Sequence, residues 1–105
     1  MISKKKRVTK ELFLSVLKNG KILSSPLFLL RYTPSVESLC AMVVPKSLAK
    51  RAVKRNSLRR KGYNAIRTLT LPPATLLFFY KKEGINASSE EIRHDLGMLI
   101  SKIRL

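Results

Sequence analysis

Apolar and polar residues alternate along this chain in patterns that predict three helices and four strands. The first pattern opens at Thr9, a residue type that caps helices, and ends at Gly20, a residue type common just after them. Between the two, apolar residues recur at helical spacing, which predicts that one face of the helix packs against the core. That face consists of Leu12, Phe13, Val16 and Leu17.

Three short runs then have the length and composition of β-strands. They cover residues 21–24, 27–33 and 39–44. Pro34 and Ser35 mark the turn between the second and third runs.

After Pro45 the spacing returns to that of a helix, which is predicted over residues 47–67. Gly62 lies inside this helix and should weaken it by about 1 kcal/mol relative to alanine. Pro72 and Pro73 follow the helix and exclude its continuation. The narrow apolar stripe of the helix consists of Leu48, Ala52, Tyr63 and Ile66.

The last two elements are an aromatic strand and a capped helix. The strand covers residues 75–80. Phe78 and Tyr80 point to one face of the sheet and Phe79 to the other, so at least one of these sets belongs to the core. Ser88 opens the last helix, which runs to the end of the chain.

The order of these elements predicts a fold class. A chain of 105 residues suffices for one core and not for two. We therefore expect a single α+β domain over residues 1–105, in which helices cover a small four-stranded sheet. Residues 1–7 contain four consecutive basic residues and are expected to form a flexible arm, either solvated or laid along RNA phosphates.

The charge of the chain predicts the chemical class of its partner. The chain has 22 Lys and Arg residues against 6 Asp and Glu, a formal net charge of +16. Such an excess repels itself unless the usual partner is an anionic polymer, because each basic side chain that meets a phosphate releases a counterion. Nucleic acid is therefore the leading partner class. No apolar run is long enough to span a membrane and no signal-peptide core follows the basic start, so we expect a cytoplasmic protein without a membrane partner.

The basic residues are concentrated in the predicted middle helix. Residues 46–67 contain nine Lys and Arg residues and no acidic one. Arg51, Arg55 and Arg59 align on a helix, and aligned like charges are destabilising until phosphates neutralise them. We interpret this helix as an RNA-facing surface. Asn56 lies near its apolar stripe and can bond either to RNA or to the protein backbone, where it would hold the helix against the sheet.

Residue types suited to catalysis are sparse in this sequence. His94 is the only histidine, and an exposed position in the last helix is expected for it. Cys40 is the only cysteine, has no zinc-site neighbours and is expected to be buried in a strand. The six acidic residues are scattered, and Gly-rich phosphate loops and nucleophile elbows are lacking. The residues favour binding over catalysis.

One stretch of the basic segment carries a specific resemblance. Residues 44–60, VPKSLAKRAVKRNSLRR, are similar to the signature of the bacterial ribonuclease P protein family, in which a strand end with a Lys leads into Ala-x-x-Arg-Asn-x-x-Lys-Arg. The resemblance extends to the Lys18-Asn19-Gly20 helix end and to Pro72-Pro73 before an apolar strand. The signature positions hold Lys46, Ala52, Arg55, Asn56, Arg59 and Arg60.

The resemblance implies a fold in more detail than the pattern does. It implies a single-domain α-β-β-β-α-β-α sandwich, ribonuclease P protein-like and similar to the second domain of ribosomal protein S5. Its β-α-β crossover would be left-handed. Most such crossovers are right-handed, so the left hand depends on the resemblance alone.

The resemblance also implies a function. The chain would be the protein subunit of ribonuclease P, which assists Mg²⁺-dependent endonucleolytic removal of the 5′ leader from precursor tRNA. The RNA subunit would hold the catalytic centre and most of the Mg²⁺, so no catalytic residue and no small-molecule substrate is expected in this chain. The implied partners are ribonuclease P RNA and precursor tRNA, and the protein without RNA is expected to be monomeric.

Two sets of site residues follow from the family. The basic helix would bind the catalytic RNA, and a cleft between the first helix and the sheet would receive the single-stranded leader. The predicted RNA-binding residues are Lys46, Lys50, Arg51, Lys54, Arg55, Asn56, Arg59 and Arg60. The predicted leader-cleft residues are Phe13, Leu17, Arg31 and Tyr63.

This chain departs from the family pattern at four positions. Tyr63 and Asn64 stand where the family has another Arg followed by an acidic or amide residue. Arg31 stands where the family favours an aromatic residue late in the second strand, and Leu17 replaces a frequent Phe. Recognition of a stacked nucleotide is therefore expected to differ.

Two other classes share the basic composition. A structural RNA-binding protein such as a ribosomal protein would have the same charge and the same lack of catalytic residues. A DNA-binding protein is a weaker alternative, since the sequence shows neither a helix-turn-helix pattern nor a dimerisation heptad. The Arg-Asn-x-x-Arg-Arg helix after a strand favours ribonuclease P.

Overall fold

The computed structural model describes residues 8–105, so the basic arm predicted at residues 1–7 lies outside the described residues. The elements follow the predicted order, and the α+β prediction is confirmed. They are α1 Lys10–Asn19, β1 Lys21–Ser24, β2 Phe28–Pro34, β3 Leu39–Val43, α2 Ala52–Ile66, β4 Ala74–Tyr80 and α3 Ser89–Ser101, with a short 3-10 helix Lys82–Gly84 before α3.

The four strands form one mixed sheet with the order β1-β2-β4-β3. The β1–β2 and β2–β4 pairs are antiparallel, and the β3–β4 pair is parallel. Parallel neighbours need a long connection, and α2 provides it. The left hand of this crossover, which the family resemblance implies, stays a prediction.

The helices divide between the two faces of the sheet. α2 packs on β3, α3 packs on β2, and the two helices contact each other, whereas α1 packs on β2 and β4. Side chains of β4 alternate accordingly: Phe78 and Tyr80 are buried in the core under α2 and α3, while Phe79 meets α1. The largest fully buried side chains of the main core are Phe28, Leu30, Leu58, Leu76, Phe78, Ile92, Leu96 and Leu99.

The first helix packs less closely than its apolar stripe predicts. It is capped as expected, since the Thr9 hydroxyl accepts a hydrogen bond from Leu12 N at 3.2 Å. Of the predicted core residues, however, only Val16 is fully buried, and Leu12 is 37% exposed. A single helix is too narrow to cover a four-stranded face, so the flanks of α1 remain open.

The middle helix begins at Ala52, five residues later than predicted. The Arg55 guanidinium donates hydrogen bonds to the carbonyl oxygens of Ala49 at 2.9 Å and Lys50 at 2.7 Å. These bonds hold residues 49 and 50 in a non-helical connection. The prediction of a helix from residue 47 is therefore wrong at its first turn.

The buried face of α2 also differs from the predicted stripe. Of the residues in the predicted apolar stripe, Ala52 is exposed and Tyr63 is only half-buried. The residues that α2 buries are Leu58, Gly62, Ala65 and Ile66. Gly62 is part of this face because a Cβ there would lie 2.8 Å from the sulfur of Met42. Gly62 therefore allows the helix to approach the sheet closely, in addition to weakening the helix locally.

A buried carboxylate joins the last helix to the turn between β1 and β2. Asp95 on α3 is 5% exposed. It accepts hydrogen bonds from the Ser25 hydroxyl and from Leu27 N, the latter at 3.2 Å. A buried carboxylate is tolerated only when such donors compensate for its lost hydration. Asp95 therefore fixes the position of α3 over the β1–β2 turn.

Replacing Asp95 with alanine should lower the free energy of unfolding by about 2–3 kcal/mol, because it removes two hydrogen bonds to a charged group and leaves buried donors unpaired. Urea denaturation followed by circular dichroism measures the change. His94→Ala is the control, since His94 is exposed on the same helix. Equal stability of the two variants would contradict the role given to Asp95.

Candidate nucleic-acid interface

The amino-terminal half of α2 and the connection before it form a cationic surface. Most of the residues predicted to bind RNA are exposed there: Lys46, Lys50, Arg51, Lys54, Asn56 and Arg60. Arg55 and Arg59 are half-buried. The structure thus brings the predicted set together along one helix and its entry.

The start of α2 lacks the usual stabilising features of a helix amino terminus. Arg51 is the N-cap residue, its side chain makes no capping hydrogen bond, and the first turn contains no acidic residue. Unbonded backbone N–H groups and the positive end of the helix dipole therefore coincide with cationic side chains. This combination is unfavourable alone and favours an anion. A depression of about 610 Å³ lies here, lined by Lys50, Arg51, Val53, Lys54 and Ser57.

Two members of the basic set also bond within the protein. Arg55 donates to the backbone before α2, as described above. The Asn56 side-chain oxygen accepts a hydrogen bond from the Arg59 guanidinium, and Asn56 is exposed. The structure therefore places the Asn56 amide on the surface of α2 and not between the helix and the sheet.

A second surface lies beside α1, on the opposite face of the sheet. The rings of Phe13 and Phe79 meet edge to face with centroids 6.2 Å apart. The Arg31 guanidinium donates to the carbonyl oxygen of Leu17 at 2.9 Å. The structure thus brings Phe13, Leu17 and Arg31 together, as the sequence predicts. We call this surface the α1 cleft.

The floor of the α1 cleft continues onto β3. Cross-strand neighbours share a face, and Leu77 and Phe79 of β4 pair with Ala41 and Val43 of β3. Ala41 and Val43 are half-buried. An apolar strip of sheet therefore runs beside α1, with the half-buried Arg31 as its cation.

Tyr63, the fourth predicted cleft residue, lies elsewhere. It belongs to α2, which covers the other face of the sheet, and its hydroxyl accepts a hydrogen bond from Met42 N at 3.1 Å. The hydroxyl thus pairs with an N–H on the free edge of β3. The structure does not bring Tyr63 to the α1 cleft.

Sequence analysis missed a third surface, between α2 and α3, which we call the α2–α3 groove. It has a volume of about 460 Å³, and its lining includes Ser57, Arg60, Lys61, Asn64, Thr68 and Arg93. Lys61 is part of the basic run, but Arg93 follows two glutamates in the sequence. No local sequence pattern indicates that Arg93 belongs to a binding surface, because only tertiary packing places it across the groove from α2.

The more reactive residue types are spread through the fold. His94 is exposed and Cys40 is buried, both as predicted, and burial raises the pKa of the Cys40 thiol to about 12. Burial also raises the pKa of Tyr80, whose hydroxyl donates to the Leu58 carbonyl oxygen at 2.7 Å. Within residues 8–105 no helix is long and apolar enough to cross a membrane.

Comparison with known proteins identifies the family. A sequence profile of the family described as Ribonuclease P matches residues 2–104. The chain belongs to the ribonuclease P protein family. It is therefore a protein subunit of the enzyme that matures the 5′ end of tRNA, and the catalytic centre of that enzyme lies in its RNA. The prediction of a ribonuclease P subunit is confirmed over the alternative of a ribosomal protein.

Solved structures of the family show the same fold. The RNase P protein from Thermotoga maritima has a TM-score of 0.81 at 22% identity, covering 89% of this chain and 92% of that one. The RNase P protein from Staphylococcus aureus has a TM-score of 0.80 at 15% identity, covering 91% and 93%. No curated protein matches the chain.

Replacing Arg55 with alanine should lower the free energy of unfolding by about 1 kcal/mol, since it removes two partly exposed hydrogen bonds to the Ala49 and Lys50 carbonyls. Lys54→Ala, at an exposed neighbouring position, should change it by less than about 0.5 kcal/mol. Urea denaturation compares the two variants. If both are equally stable, Arg55 has no structural role and is available to RNA alone.

Proposed function

We propose that this subunit binds the ribonuclease P RNA through the amino-terminal half of α2 and holds the 5′ leader of precursor tRNA in the α1 cleft. A single RNA-binding domain presents both surfaces. The observation that carries the proposal is the start of α2, which has neither a side-chain cap nor an acidic first turn and lies among cations. The RNA phosphates supply the missing negative charge.

The proposed contact with the catalytic RNA is mainly to its backbone. The proposed contact residues are exposed and present positive charge to the RNA; they are Lys50, Arg51, Lys54 and Arg60. Phosphate contacts position a protein on RNA, whereas contacts to base edges specify sequence. Asn56 adds a neutral amide that can contact a base or a ribose. Arg55 acts partly through the backbone connection that it holds before α2.

The proposed leader site combines an apolar floor with one cation. Phe13 and Phe79 supply aromatic surface on which an unpaired base can stack. Arg31 remains half-exposed beside them and can meet a phosphate or a base edge. Such contacts tolerate any base, which suits a leader whose sequence varies among precursor tRNAs. Tyr63 is a structural residue at the β3 edge in this proposal.

Mg²⁺ is assigned to the RNA subunit. Residues 8–105 bring together no group of three or more His, Cys, Asp or Glu side chains that could hold a metal ion. The best-placed carboxylates are already bonded, Asp95 to Ser25 and Leu27 N, and Glu91 to Ser88 N. The proposal therefore gives the Mg²⁺ to RNA, whose phosphates are common ligands of this ion.

We further propose that the protein works in the cytoplasm and is a monomer until it meets RNA. A net charge of +16 opposes the approach of a second copy. An RNA partner removes that repulsion.

The wild-type protein should restore cleavage of precursor tRNA at the mature 5′ end by ribonuclease P RNA at low Mg²⁺. Replacing both Lys54 and Arg60 with glutamine should raise the protein concentration needed for half-maximal cleavage roughly tenfold, because two phosphate contacts are lost. Gel-resolved cleavage of a 5′-labelled precursor measures this change.

The control for this assay is Lys102→Gln with Arg104→Gln, which removes the same charge from the exposed end of the chain. If both double variants lose activity equally, net charge and not the α2 surface is responsible. If wild-type protein binds the RNA and never changes cleavage, the proposed function is wrong.

Replacing Phe13 with leucine should weaken binding to leader-bearing precursor tRNA by roughly 5- to 10-fold, because leucine keeps the packing of α1 and removes the stacking surface. Binding to leaderless tRNA should not change. Affinity is measured with the assembled holoenzyme on both substrates, and Leu14→Ala is the control because Leu14 is 55% exposed on the same helix. An equal loss on both substrates would refute leader stacking at Phe13.

A further inference from the structure

We infer that the α2–α3 groove is a second RNA-backbone site, in which Lys61 and Arg93 hold phosphates of the same catalytic RNA that binds the start of α2. The inference rests on the proposed function and extends it to a second helix. It adds two residues to the predicted RNA-binding set, one of them from α3.

The α2–α3 groove carries an excess of positive charge. Its walls bring together Arg60, Lys61 and Arg93 against one carboxylate, Glu90. Arg60 and Arg93 are exposed. The protein already carries a net charge of +16. Without an anionic partner, two excess cations in one groove would add to this self-repulsion.

The side of the groove that α2 forms carries a row of polar side chains. Ser57, Lys61, Asn64 and Thr68 succeed one another at intervals of three or four residues, so they line one side of the helix and its end. None of the four is acidic, and Ser57, Lys61 and Asn64 offer donors, whereas the Thr68 hydroxyl already donates to the Ala65 carbonyl oxygen at 2.8 Å. From Ser57 to Ala65 this wall is about 12 Å long, which is enough to follow several backbone groups of a strand.

The Lys61 ammonium is held in position at the groove by a hydrogen bond within the protein. Lys61 is half-buried, and its Nζ donates to the Ala87 carbonyl oxygen at 3.2 Å, just before the cap of α3. This bond holds the charge at the groove instead of leaving it on a free side chain. Two of the three ammonium protons remain for phosphate oxygens.

The α2–α3 groove is continuous with the proposed RNA surface at the start of α2. Ser57 lines both the depression at the start of α2 and the α2–α3 groove. An RNA backbone that meets Lys50 and Lys54 can therefore pass Ser57 and enter the groove. A separate small anion would not need this connection, which is why we assign the groove to RNA.

The test is the salt dependence of binding to ribonuclease P RNA, measured by filter binding between about 50 and 300 mM salt. Replacing Lys61 and Arg93 with glutamine should reduce the slope of log K against log salt by about 0.7–0.9 for each lost contact. Lys61→Arg with Arg93→Lys keeps both charges and should keep the wild-type slope.

The matched control is Lys18→Gln with Lys21→Gln, which removes two exposed charges from α1 and β1, away from α2 and α3. The slope of log K against log salt is compared between the two double variants. If the two slopes are equal while wild-type protein binds and supports cleavage, the groove site is refuted and the proposed function stands. If wild-type protein does not bind the RNA, the proposed function fails and this inference fails with it.

Folding is checked by circular dichroism, because Lys61 also bonds to the loop before α3. Should the double variant be unfolded, Arg93→Gln alone decides, since Arg93 is exposed. A reduction of its slope by about 0.7–0.9 supports the site, and an unchanged slope overturns it.

Discussion

The parallel pairing of β3 with β4 is the constraint on which the binding surfaces depend. Parallel neighbours cannot be joined by a tight turn, so the chain must cross a face of the sheet as a helix before it returns. α2 makes this crossing and, with α3, covers one face. The other face is left to α1, which packs on β2 and β4. The surface named the α1 cleft therefore lies on that second face.

The crossing helix can devote most of its surface to cations because its contact with the sheet is narrow and close. Gly62 lets α2 approach Met42, and two large side chains of the helix, Leu58 and Ile66, are buried in the core. Hydrogen bonds from β4 and β3 reinforce this contact, through the Tyr80 hydroxyl to the Leu58 carbonyl and from Met42 N to the Tyr63 hydroxyl. These hydrogen bonds thus supplement a limited apolar contact area.

Electrostatics links this architecture to RNA binding. The start of α2 concentrates unbonded N–H groups, the positive end of the helix dipole and several cations, none of which is balanced in the first turn. This arrangement is unfavourable in the protein alone, and in the proposed function the phosphates of the RNA neutralise it. α3 is built in the opposite way, since Ser88 and Glu91 form a capping box at its start, and these hydrogen bonds lower the pKa of Glu91. Its stability does not depend on a ligand.

The sequence by itself determined the order of elements, the basic helix and the family, because helix periodicity, caps and prolines act locally and the Arg-Asn-x-x-Arg-Arg signature is contiguous. The family resemblance also predicted that Phe13 and Arg31 line one surface, and the structure places both beside α1. Tertiary structure decided the rest. The start of α2 depends on bonds from Arg55 to carbonyls several residues earlier, and Tyr63 faces the β3 edge because α2 crosses the sheet on that side. Arg93 meets the basic helix only through packing between elements far apart in sequence, which no local pattern encodes.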